Sequence, residues 1–214
     1  MRIISSSFGI ISMPEYKDAL RIIERAARLC YKSESSISSD SAQPLIRRLI
    51  KSGHHSVLEH VCISVKITCD RGVSHELVRH RLASYSQTST RYCNYSKEKF
   101  GNEITVIRPC FWDKDDKAYK LWKESMLQAE TTYMSLIKAG ATAQEARSVL
   151  PNSLATEIMV TANIREWRHI LELRCSKKAH PQIREIMKRL LAYLWSNMPV
   201  FFRDVYDKYY SIPW

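Results

Sequence analysis

Apolar positions that recur every three or four residues, and one run that recurs every two, divide the chain into elements. Ala19, Ile22, Ile23, Ala26 and Cys30 fall at helical spacing and predict a helix over 14–31. A second helix is expected over 44–52, closed by Gly53, a residue suited to the left-handed conformation that follows a helix end. Val61, Ile63, Val65, Ile67 and Cys69 alternate with Cys62, Ser64, Lys66 and Thr68, the period-two pattern of a half-buried strand. Residues 2–8, 103–107 and 154–161 also read as strands. Residues 73–81 look helical, while 84–95, crowded with hydroxyls, reads as a loop, as does the serine-rich 33–41.

Further along, a long helix over 115–138 stops at Gly140, and Thr142 with Glu145 supplies a capping box for a helix that Pro151 ends. Helices are expected over 164–173 and 181–197. The second has Pro at its first position and Ile183, Ile186, Met187, Leu190, Leu191 and Leu194 on one face. The aromatic tail past Pro199 is expected to pack. Few strands among many helices, without βαβ alternation, predict an α+β fold: a single domain over 1–214, helix-rich, with one central and mostly antiparallel sheet.

Composition narrows the function classes. With 45% hydrophobic and 26% charged residues among 214, a packed core is expected, and collagenous, disordered and disulfide-scaffold classes are excluded. The net charge of +11 calls for anionic partners such as nucleotides, phosphates or nucleic acid. Six cysteines form no CxxC pair, so they read as reduced thiols of a cytoplasmic protein. The start, MRIISSSFGIISM, carries one basic residue and breaks its apolar run with serines, and no apolar stretch is long enough to span a bilayer. Neither secretion nor a membrane is expected. The five glycines lie far apart, which removes both GxGxxG and the P-loop.

Residues 79–92, RHRLASYSQTSTRY, gather the guanidiniums of Arg79, Arg81 and Arg91, the His80 imidazole and a run of hydroxyls around a helix-to-loop junction. That composition suits a phosphorylated, hydroxyl-rich ligand, because Arg grips phosphate through a planar fork. Two other readings stand beside it. The arginines could simply face the negative pole of a helix. Alternatively, Tyr85, Tyr92 and Tyr95 among basic residues would suit a nucleic-acid-binding module without catalysis. Near the second helix, His54, His55, Glu59 and His60 suggest a metal site, but HxxEH would need histidine at position 56, where Ser56 stands, and HExxH is absent. No metal is expected.

The 79–92 segment resembles the signature of the flavin-dependent thymidylate synthases, RHR followed after seven residues by Ser89 and then Thr90-Arg91. The upstream GHxSxxEH element of that family is similar to 53–60, GHHSVLEH. Its downstream elements are similar to 147–151, RSVLP, and to Asn163-Ile164-Arg165 continuing to Leu173-Arg174. The resemblance implies conversion of dUMP to dTMP, with methylenetetrahydrofolate as carbon donor and NADPH as reductant through FAD. It also implies a homotetramer whose active sites are shared between subunits, with neither nucleic acid nor membrane as a partner.

By the same resemblance, FAD contacts fall on His54, Ser56, Arg79, His80, Arg81, Gln87, Asn163, Arg165 and His169. The dUMP contacts fall on Glu76, Arg79, Gln87, Thr88, Ser89, Thr90, Arg91, Arg147 and Arg174. Arg174 is the expected catalytic residue, since a fixed, permanently charged guanidinium stabilises negative charge developing on the pyrimidine. Ser89 is expected to clamp the nucleotide rather than attack it, because no base adjoins it in sequence, and Cys93 reads as a structural thiol. The chain departs from the family pattern at Glu76 and Gln87, where the carboxylate and amide are commonly exchanged, and at Thr90 and His169.

Overall fold

The computed structural model describes residues 1–210. The chain runs β1 (Arg2–Ile4), β2 (Ser7–Ser12), α1 (Tyr16–Leu29), α2 (Ala42–Lys51), β3 (Cys62–Asp70), α3 (Arg71–Leu77) and β4 (Ser84–Gln87). It continues through β5 (Thr105–Ile107), α4 (Lys117–Lys138), α5 (Ala143–Ala146), β6 (Ala155–Asn163), α6 (Ile164–Arg174), α7 (Pro181–Asn197) and α8 (Pro199–Tyr210). Four strands form one sheet in the order β2-β3-β6-β4, while β1 pairs with β5 in parallel, Arg2 opposite Thr105 and Ile4 opposite Ile107. Ser64 meets Thr161 at 2.8 Å and Lys66 meets Glu157 at 2.8 Å, so numbers rise along β3 as they fall along β6, the antiparallel sense.

Three local expectations change. The single strand over 2–8 is two strands, because β1 and β2 find partners in different sheets. The helix expected over 73–81 ends at Leu77. Part of the 84–95 loop is the strand β4; it lies at an edge of the sheet, where one side of the backbone can stay wet and polar side chains are tolerated. Elsewhere the hydrophobic periods hold, with Ile63, Val65, Ile67 and Cys69 of β3 fully buried.

Contacts resolve two compact units, each stitched from three separate stretches of chain. The first comprises Met1–Phe8, Lys66–Arg79 and Tyr85–Met159. Its core joins Tyr95, Ile104, Val106, Met126, Tyr133, Ala146 and Leu154. The second comprises Gly9–Val65, His80–Ser84 and, of the described residues, 160–210. It packs α1, α2 and α6–α8 around Ile23, Ile46, Trp167, Ile170, Leu171, Phe201 and Phe202, all fully buried. Neither unit is a continuous segment, so no composition shift along the sequence marks them. Among the described residues no helix is long and apolar enough to cross a membrane.

Candidate active site

In the second unit, α6 carries the densest polar group. Asn163 caps it, its side-chain oxygen accepting from the Glu166 backbone N–H at 2.9 Å. The Ile164 N–H donates to the Val61 carbonyl at 2.9 Å and the Trp167 indole to the Ile63 carbonyl at 2.9 Å, which fixes the helix against the start of β3. Arg168 is buried and held by Asp204 through two bonds of 2.7 and 2.6 Å, with a further bond to the Phe201 carbonyl. This frame sets the direction of the last helical residue, Arg174, whose Nε donates to His80 Nε2 at 3.0 Å.

His80 and Glu166 are each about 5% exposed, and His80 Nδ1 lies 3.7 Å from Glu166 Oε1. The His169 ring, exposed, meets the His80 ring edge-on with centroids 5.8 Å apart. Burial raises the Glu166 carboxyl above its ordinary range, opposed by the charges of His169 and Arg165. Arg165 is exposed and pairs with Glu59 at 2.5 Å. His80, Glu166 and His169 offer ligand-type atoms within 4.8 Å of one another, the one such group among the described residues. A cation is poorly served there. The guanidinium already takes the lone pair of His80 Nε2, which leaves the proton of the neutral ring on Nδ1 and no lone pair for a metal.

His54 follows the C-terminal end of α2, where Gly53 at φ +74° allows its N–H to reach back to the Leu49 carbonyl at 2.9 Å, and Ser56 opens the short helical turn Ser56–His60 that comes next. His54 lines a cavity of about 340 Å³ with Arg28, Tyr31, Ser33 and Arg48. Both His54 and Ser56 are exposed. Arg81 is exposed too, one residue beyond the buried His80.

The remaining expected residues lie in the first unit. Asp70 caps α3, accepting from the Val73 N–H at 2.8 Å; a Cβ on Gly72 would come within 2.9 Å of that carboxylate, so the close approach requires glycine. Gln87 donates to Ser74 Oγ at 2.9 Å and to Thr156 Oγ1 at 3.1 Å. Both hydroxyls are buried, so the amide donors are occupied and the side-chain carbonyl is oriented. The Thr88 N–H donates to the Glu157 carbonyl at 2.9 Å, and the Ser89 carbonyl accepts from Tyr92 and Cys93, which closes a turn through the buried Thr90. Arg91 reaches Gln144 at 3.4 Å, and Gln144 stands one helical turn before Arg147. Glu76 is half-buried, whereas Arg79, Arg91 and Arg147 are exposed.

The expected residues thus form two groups, one in each unit, with Arg174 beside His80 in one and Gln87–Arg91 with Glu76, Arg79 and Arg147 in the other. Sequence reasoning missed Glu166, Ser74, Thr156 and Gln144. Only Glu166 carried a signal, an acidic residue three after a capping Asn and one turn before His169. Cys69 and Cys175 are buried and pushed up to about 12, so neither supplies a thiolate. Cys93 is half-buried against the first core, consistent with a structural role.

Chemically, the donor set fits an anionic flavin. Exposed guanidiniums can meet phosphate, imidazoles offer flat faces, and the buried Glu166 keeps the field around His80 from being wholly positive.

The family described as Thymidylate synthase complementing protein matches residues 12–200. A Flavin-dependent thymidylate synthase of Geobacter sulfurreducens is 35% identical over 186 residues, 84% of this chain and 78% of the relative. One from Pyrococcus furiosus is 36% identical over 182 residues, covering 82% and 74%. Among solved structures, a UMP/dUMP methylase PolB from Streptomyces cacaoi, bound with 5-Br dUMP, superposes with a TM-score of 0.79 over 99% of both chains at 21% identity, a likeness of fold.

Proposed function

The chain belongs to the flavin-dependent thymidylate synthase family, and from that membership we propose that it methylates C5 of dUMP to give dTMP. Methylenetetrahydrofolate is the carbon donor and NADPH the reductant, the flavin is FAD, and a single domain of this type spans 1–214. It works in the cytoplasm as a homotetramer, each site completed by residues of more than one subunit. His54, Ser56, Arg79, His80, Arg81, Gln87, Asn163, Arg165 and His169 would hold the flavin. Once bound, the flavin supplies the reducing equivalents that turn the transferred one-carbon unit into a methyl group.

The chain's own residues do the rest. Arg79, Arg91 and Arg147 neutralise the nucleotide's phosphate, a task for exposed and permanently charged forks. Glu76, the oriented carbonyl of Gln87, and the Thr88, Ser89 and Thr90 segment fix uracil and ribose through hydrogen bonds. Arg174 would stabilise the negative charge that grows on the pyrimidine as C5 becomes nucleophilic. Removing one such preorganised donor typically costs about a hundred- to a thousandfold in turnover.

The observation that carries this reading is Arg174 held by His80 at 3.0 Å, a motif arginine fixed by the central histidine of RHR across ninety-four positions of sequence. The test is purification followed by two measurements: the visible spectrum of bound flavin, and release of label from C5 of tritiated dUMP in the presence of methylenetetrahydrofolate and NADPH. A yellow protein that releases label supports the reading; a colourless protein, or one that releases none, overturns it.

A further inference from the structure

We propose that Glu166 is a positioning residue for Arg174 and acts by fixing the tautomer of His80. The inference rests on the assignment of Arg174 to charge stabilisation given above. A guanidinium can only donate, so the Arg174 Nε–H directed at His80 Nε2, 3.0 Å away, requires a lone pair on that nitrogen. In the neutral ring the proton then sits on Nδ1. That nitrogen faces Glu166 Oε1 at 3.7 Å, longer than a direct hydrogen bond but close for a charge in a buried setting. The carboxylate favours the proton on the nearer nitrogen.

Without that bias the ring can carry its proton on Nε2. Two N–H groups would then point at one another, and the bond that orients the guanidinium from this side would be lost.

Neither His169 nor Arg165 supplies the same bias. His169 approaches edge-on from the next turn of α6, and Arg165 is drawn to Glu59 at 2.5 Å. Both are cationic when charged, and a cation cannot attract the Nδ1 proton. Glu166 itself is held by the Asn163 cap on its backbone N–H, so its direction is set by the first turn of the helix. A second-layer carboxylate that orients an imidazole is a general device, and its loss acts through the group the imidazole holds.

The test uses the flavin-loaded enzyme with Glu166→Ala, and with Glu166→Gln as the isosteric variant should alanine fail to fold. For Glu166→Ala, kcat is expected to fall about tenfold through misplacement of the guanidinium, with flavin content unchanged. The KM for dUMP should stay within about twofold, the mark of an interaction made mainly in the transition state. Glu166→Gln keeps a carbonyl opposite Nδ1 and should fall between alanine and wild type.

The second readout does not depend on turnover. In ¹⁵N-histidine-labelled protein, with His80 assigned through His80→Asn, the wild type should show the Nδ1-protonated pattern and Glu166→Ala a shift toward Nε2. An unchanged kcat, or an unchanged tautomer in both variants, overturns the proposal. If Arg174→Ala itself retains full turnover, the role given to Arg174 fails. If Arg174→Ala is inactive while Glu166→Ala is fully active with the same tautomer, only the present inference fails.

Discussion

The two polar groups are built on opposite physical terms. Around α6, His80 meets Arg174 and Arg168 meets Asp204, with His80, Glu166 and Arg168 buried. In the β4 segment, the contacts lie within the turn or reach α3, α5 and β6 through hydroxyls, an amide and backbone, and the guanidiniums are exposed. A buried charge that loses its partner remains in low dielectric and is costly, whereas an exposed one is rehydrated. The α6 group should therefore be stiff and intolerant of change, and the β4 group adaptable.

The largest effect sought is on chemistry. Arg174→Ala should lower turnover about a hundred- to a thousandfold in the tritium-release assay. A tenfold loss or less would mean that the buried group is no more committed than the exposed one.

The next is on stability. Asp204→Ala leaves Arg168 buried beside Phe201 without its carboxylate, and a loss of about 2 kcal/mol is expected in denaturant unfolding, below the range for fully buried pairs because Asp204 is half-exposed. The pH response sharpens this. Burial alone would raise Asp204, but the bonds from Arg168 and the backbone outweigh it and hold the carboxyl below its ordinary value. Its contribution is therefore present above the unfolded value and disappears as pH falls through the depressed one. Glu166, raised by burial, works in the opposite sense: its contribution is full below the ordinary glutamate value and is lost as pH rises through the elevated one. Asp204→Asn should flatten the acid limb of a stability–pH curve, and Glu166→Gln the limb just above it.

In the β4 group the effects should shrink. Thr156→Val keeps the buried volume but removes one acceptor from the Gln87 amide, so the KM for dUMP should rise about fivefold, equivalent to about 1 kcal/mol, with kcat little changed. The smallest effect is at Lys66 and Glu157, an exposed pair at 2.8 Å, where a double-mutant cycle should give a coupling below about 0.5 kcal/mol. A coupling of several times that would erase the contrast between the two groups.

The elements themselves were largely legible. Period-two alternation gave β3 within a residue of its bounds, Pro181 with its apolar face gave α7, and the Thr142–Glu145 capping box forms as expected, Glu145 accepting from the Thr142 N–H at 2.7 Å. The β4 strand was not legible, because Ser84-Tyr85-Ser86-Gln87 has no apolar face; it is a strand on account of its neighbour in the sheet. Nor was the split of residues 2–8, which depends on partners 50 or more positions away.

For the site, the motifs named Arg174, RHR, and Gln87 to Arg91, since the chemistry of guanidinium, imidazole and hydroxyl is carried in residue type and spacing. The sequence thus determined the periods, the caps and the inventory of charged groups, because those are properties of neighbouring residues. The tertiary structure decided that His80 meets Arg174, that Glu166 faces the far side of the same ring, and that Ser74 and Thr156 orient Gln87. Such pairings depend on which faces pack together, and only the folded chain brings those faces within hydrogen-bond range.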